Sequence, residues 1–143
     1  MSKGQKEETK QSRGPVLTVL AVCMGLMAIS NLSKPVSQAL APESTAGFVL
    51  FGQRLEGMAN VIVGPLFGLF LAAYAYGVWT LRAWVLPLAG AYALYVIVYL
   101  LLFALNLPPD QGGGVFGLVY MVVAIGVSGG GALYLFLHRE RLH

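Results

Sequence analysis

Charged residues are almost absent from the long central part of this chain. Between Gly57 and Leu137 the sequence carries only Arg82 and Asp110, whereas six of the 15 charged residues lie among the first 13. A soluble domain carries about 25% charged residues, but this chain carries 10%, beside 57% hydrophobic residues. Such a stretch cannot form a water-soluble surface. The sequence therefore predicts an all-α, polytopic integral membrane protein.

Four apolar runs predict a four-helix transmembrane bundle. A polar, basic tail that we expect to be disordered and cytoplasmic covers residues 1–14. The membrane domain covers residues 15–137, and a basic cytoplasmic end covers residues 138–143. Within the membrane domain, the predicted spans lie at about 15–34, 46–80, 84–105 and 115–137.

Two of these runs leave alternatives open. The run 46–80 has 35 residues, which as one helix would measure roughly 52 Å against a hydrocarbon core of about 30 Å. Either that helix protrudes, or residues 46–57 form an interfacial piece and the span is 58–80. The first run follows a basic region and contains Ala28-Ile29-Ser30, which resembles a cleavage site, so a cleaved signal peptide is the alternative to a first span.

The distribution of Lys and Arg predicts the orientation. Seven of the nine lie in the N-terminal tail, in the loop at residues 80–83 or at the C-terminus, whereas only Lys34 and Arg54 lie on the opposite side. Basic residues collect on the cytoplasmic side of a membrane protein, so both termini are predicted to be cytoplasmic, in a bacterial inner membrane. Trp79 and Trp84 flank the 80–83 loop, as expected of an aromatic belt.

Three charges near the first two spans, Lys34, Arg54 and Glu56, need an explanation because a charge inside a span is costly. A hairpin whose connection centres near residue 45 would place residues at equal depth when their numbers sum to about 90. Lys34 then faces Glu56, and Ser30 faces Asn60. Pro35 is expected to end or kink the first helix near Asn31–Lys34. The predicted outer-leaflet polar cluster consists of Asn31, Lys34, Gln38, Gln53, Arg54, Glu56 and Asn60.

This cluster has two interpretations, which the sequence leaves open. Lys34 and Glu56 could form an ion pair that holds the two helices together, or a switchable pair that binds or gates a small polar or charged solute.

Small and aromatic residues form further stripes at helical spacing. Two small-xxx-small stripes predict close helix packing, within the chain or between chains: Gly64, Gly68 and Ala72 in the second span, and Gly126 and Gly130 in the fourth. The third span carries a tyrosine face, formed by Tyr92, Tyr95, Tyr99 and Asn106. This face predicts helix packing, with a hydrated path as the alternative.

No motif for catalysis, cofactor binding or metal binding occurs. The only cysteine is Cys23, and His138 and His143 lie in a basic end that disfavours cations. We therefore expect no enzyme, cofactor or metal. The leading hypothesis is an accessory or scaffold subunit that associates through its glycine stripes. The alternative is an oligomeric channel or transporter. Expected partners are the lipid bilayer and either further copies or a larger membrane complex, and not nucleic acid.

Overall fold

A computed structural model describes residues 14–41, 49–50, 53–55, 57–106 and 114–143. Over these residues the chain is all-α, as predicted, apart from one two-residue antiparallel strand pair. The elements are α1 (Gly14–Leu32), α2 (Lys34–Leu40), β1 (Val49–Leu50), β2 (Gln53–Arg54), α3 (Gly57–Trp79), α4 (Val85–Asn106) and α5 (Gly114–Leu137), followed by a 3₁₀ turn at Arg139–Arg141.

Three of the helices are long and apolar enough to cross a membrane: Gly14–Leu32, Gly57–Trp79 and Val85–Leu102. Met121–Leu137 is a shorter apolar segment. These helices are apolar on their outer faces as well, where large side chains such as Leu26, Leu69 and Leu94 are more than half exposed. A helix that is apolar all round is not built to face water. The described helices therefore indicate an integral membrane protein.

The helices pack as two pairs, α1 with α3 and α4 with α5, and α3 makes the smaller contact with α4. On α1, α3 and α4 the buried residues recur every three or four positions, which gives each of these helices one inward stripe. The stripe of α1 includes Leu17, Met24 and Ala28, and that of α4 includes Val85 and Ala89. Large aliphatic side chains occupy the outward positions of these helices.

The connection between α3 and α4 closes one end of the bundle. Arg82 N–H donates to the Gly77 carbonyl and Leu81 N–H donates to the Val78 carbonyl, the two bonds of a Schellman motif. Leu81 takes the left-handed position of this motif (φ 55°), where glycine is usual, and its side chain is buried. His143 exchanges backbone hydrogen bonds with Leu81 and Ala83. The last described residue therefore lies beside the Arg82 connection.

The segment before α3 is not one long helix. Residues 49–54 include the strand pair β1–β2, and α3 begins at Gly57, whose left-handed backbone (φ 54°) favours glycine. Residues 46–48, 51–52 and 56 lie outside the described residues. Of the two arrangements that the sequence left open, the described residues fit the one with a helix over 58–80.

Candidate functional site

A buried hydrogen bond joins α2 to α3. Asn60 is only 1% exposed, and its Nδ2 donates to Gln38 Oε1 across 3.2 Å. An amide buried among apolar helices needs such a partner, because an unsatisfied polar group costs about 1–3 kcal/mol. Asn60 and Gln38, both members of the predicted polar cluster, are therefore in direct contact.

Lys34 lies one helical turn before Gln38, on the same face of α2. A Cβ added at Gly64 would lie 2.7 Å from Lys34 Cδ and 3.4 Å from Lys34 Cβ, so the lysine stem crosses α3 directly over this glycine. Lys34 lies outside the candidate span Gly14–Leu32.

The register between the two helices differs from the sequence expectation. Gln38 meets Asn60, Lys34 meets Gly64, and Leu32 meets Gly68. The residue numbers in these pairs sum to 98–100 rather than to about 90. Each helix is therefore shifted along its axis by about one turn relative to the expected register. The physical reason is the strand pair, which lengthens the connection and moves its centre toward residue 49. The expected pairing of Ser30 with Asn60 at equal depth is therefore wrong.

The remaining members of the predicted cluster divide into two groups. Asn31 is partly buried, and its Nδ2 donates to the Met27 carbonyl within α1. The side chains of Gln53 and Arg54, together with all of Glu56, lie outside the described residues. The expected Lys34–Glu56 pair therefore stays a prediction.

Two prolines free backbone acceptors near Lys34. Pro35 has no N–H to donate to the Asn31 carbonyl, and Pro65, inside α3, has none to donate to the Val61 carbonyl. The Asn31 carbonyl lies 3.6 Å from the Cβ position of Gly64. The place of Pro65 in an apolar run is the sequence signal for this second freed carbonyl.

The tyrosine face of α4 packs on aromatic residues of α3. The ring centroids of Phe67 and Tyr95 are 5.2 Å apart, and those of Tyr74 and Tyr92 are 5.8 Å apart. Tyr95 and Tyr99 stack on each other at 6.1 Å, with planes 16° apart. These rings are the main contents of the α3–α4 interface at this level. The side chain of Asn106 lies outside the described residues.

A cavity of about 410 Å³ lies beside these rings, between the two helix pairs. Its lining comes from α1, α3, α4 and α5, and includes Tyr92, Tyr95, Tyr99, Asn31 and Ser128. The sequence did not predict this cavity, because it depends on how far the two helix pairs separate.

No protein-family profile matches this chain, and no curated protein or solved structure is significantly similar to it.

The two glycine stripes lie in different surroundings. A Cβ at Gly68 would lie 2.9 Å from Leu32 Cγ, 3.0 Å from Leu32 N and 3.1 Å from the Ala28 carbonyl oxygen, so the backbones of α1 and α3 touch at this point. Ala72, the third member of this stripe, is partly buried against the hydrophobic core. By contrast, Gly126 and Gly130 on α5 are exposed and have no described atom within 4 Å of their Cβ positions.

Metal-ligating side chains do not form a cluster in the part of the chain that the structure describes. No three His, Cys, Asp or Glu side chains come together there as metal ligands. His138 stacks on Tyr134, with centroids 4.1 Å apart, and its Nδ1 lies 2.9 Å from the Tyr134 carbonyl oxygen. The histidine is thus engaged in packing at the end of α5.

Proposed function

We propose that this chain is a small, non-enzymatic integral membrane protein that associates with other transmembrane helices through the exposed glycine face of α5. The observation that carries this proposal is the open space over Gly126 and Gly130. Two glycines one turn apart on an outer face let a second helix backbone approach closely, and helix association in lipid depends on such packing. The partner is a second copy or a subunit of a larger membrane complex.

The proposed topology is a four-span bundle in a bacterial inner membrane with both termini in the cytoplasm. The count of seven basic residues against two supports this orientation. The contact of His143 with Leu81 and Ala83 is consistent with it, because two of the basic regions then lie at the same end of the bundle. Trp79 and Trp84 near this connection are both partly exposed, as residues of a membrane interface are.

Bulky side chains at Gly126 and Gly130 are expected to abolish association. In lipid nanodiscs or mild detergent, the wild-type protein should carry either a further copy or a co-purifying subunit. The double variant Gly126→Ile/Gly130→Ile should run as a lone monomer. Native mass spectrometry measures both states.

A matched control is available on α4. Gly90 is also exposed and also has no described atom within 4 Å of its Cβ position, so Gly90→Ile adds the same side chain to a different outer face. This variant should associate as the wild type does. A wild-type protein that is a lone monomer with no companion contradicts the proposal.

The alternative function is an oligomeric channel or transporter for a polar or charged solute. Its support is the polar contact of Asn60 with Gln38 beside Lys34 in the α2–α3 interface. Four helices enclose little space, so a pore would need several chains. Flux in liposomes that is lost in both Lys34→Ala and Glu56→Ala, with normal assembly, would favour this alternative.

A further inference from the structure

The cavity between the helix pairs has the position of a site that a ligand enters from the membrane. Its volume of about 410 Å³ lies within the range of about 300–1,000 Å³ found for small-molecule sites. Its lining includes Met27 on α1 and Val123 and Val127 on α5, side chains that are 40–55% exposed. The cavity therefore opens at the protein surface between α1 and α5, where lipid would lie.

The two helix pairs meet tightly elsewhere, which holds the cavity open. A Cβ at Gly131 of α5 would lie 3.0 Å from Leu20 Cδ1 of α1, and a Cβ at Gly77 would lie 3.0 Å from Trp84 and Val85. At the level of the cavity, bulky rings stand between α3 and α4, with small residues Ala124 and Ser128 on the α5 side. The cavity therefore results from the way in which side-chain size varies along the helices.

The lining restricts the chemistry of a ligand. None of the lining residues that the structure describes is charged, so a charged group would meet no counterion among them, at high cost. Among the described lining residues, the polar groups are the three phenols, the Asn31 amide, the Ser128 hydroxyl and the Cys23 thiol. The Ser128 hydroxyl donates to the Ala124 carbonyl across 2.7 Å, and the Tyr92 hydroxyl donates to the Met27 thioether across 3.9 Å.

From these features we propose that the cavity binds a neutral, lipid-soluble molecule with a planar conjugated ring that carries carbonyl oxygens, the chemistry of a quinone. The aromatic walls at Phe67, Tyr95 and Tyr99 suit a planar ring. Phenol and amide donors suit carbonyl acceptors. The opening between α1 and α5 leaves a path for an alkyl tail into lipid.

Cys23 provides a reporter that needs no mutation. It is the only cysteine of the chain, it is free, and it lines the cavity. In nanodiscs, a saturating amount of decylubiquinone, a fully substituted quinone, is expected to slow the reaction of Cys23 with a membrane-permeant maleimide about tenfold, as occupancy of the site requires. The aliphatic alcohol decanol, which has a tail but no ring, should leave the rate nearly unchanged.

Three matched variants separate occupancy from general membrane effects. A cysteine placed outside the cavity, Leu26→Cys in a Cys23→Ala background, should react at the same rate with and without decylubiquinone, because Leu26 points outward on α1. Ala124→Phe should fill the cavity and remove the protection, whereas Val122→Phe, on the exposed face of α5, should keep it.

A second pair of variants tests the role of the phenol hydroxyls. Tyr95→Phe should weaken protection by up to about tenfold, the effect of losing one hydrogen bond. Tyr76→Phe, which removes an exposed hydroxyl of α3 outside the cavity, should not weaken it. Equal protection of wild-type Cys23 by decanol and by decylubiquinone would overturn the proposal in favour of an acyl-chain site. The absence of protection by either probe would overturn it outright.

Discussion

A leucine in place of Gly68 is expected to lower the free energy of unfolding by about 3 kcal/mol or more. The atoms that a side chain would meet at this position include the Leu32 backbone nitrogen and the Ala28 carbonyl oxygen, at 3.0 and 3.1 Å. Backbone atoms cannot turn aside as a flexible side chain can, so α1 and α3 must move apart. Since α1 packs mainly on α3, the whole pair loses contact.

The measurement for Gly68→Leu is an SDS titration of the purified protein from mild detergent, followed by circular dichroism. Gly90→Leu is the matched control, because the space at Gly90 is open and leucine is a better helix former than glycine. This control should be as stable as the wild type, or more stable. Equal stability of Gly68→Leu and Gly90→Leu would show that α1 does not contact α3 at Gly68.

Alanine substitutions at Leu71 and Leu69 are expected to lower the free energy of unfolding by very different amounts, although both leucines lie on α3. Leu71 is fully buried, whereas Leu69 is 58% exposed on the outer face. Leu71→Ala leaves a cavity and should lower the free energy of unfolding by about 2–5 kcal/mol. Leu69 faces outward from the bundle, so Leu69→Ala should change the free energy of unfolding by about 0.5 kcal/mol or less.

The same SDS titration checks this pair. The two variants remove the same atoms from the same helix, so the difference between them isolates burial from helix propensity and from total hydrophobicity. Similar losses at both positions would mean that the inward face of α3 has been assigned wrongly.

Which face of a helix points inward was largely accessible from the sequence. Asn60, Gly64 and Gly68 recur every four residues, and a fixed helical period keeps such residues on one stripe whatever the connection does. The structure buries all three. The apolar length of the runs likewise predicted helices that could cross a membrane.

The sequence did not predict which residues of neighbouring helices lie at equal depth, or how far apart the two helix pairs lie. The equal-depth pairs depend on the number of residues in the connection, and the strand pair at residues 49–54 moved the register by about one turn per helix. The cavity at Tyr92–Tyr99 depends on contacts between residues far apart in sequence, such as Leu20 with Gly131. Neither feature leaves a periodic signal.

The most direct test of the central claim, a bundle that crosses the membrane with both chain ends on one side, is two-sided thiol labelling. In a Cys23→Ala background, single cysteines are placed at Ala41, at Arg82 and at His143, all of which are exposed. An impermeant maleimide is applied to sealed right-side-out and inside-out vesicles. We expect Arg82→Cys and His143→Cys to react only in inside-out vesicles and Ala41→Cys only in right-side-out vesicles. Reaction of all three positions from the same side would contradict the claim.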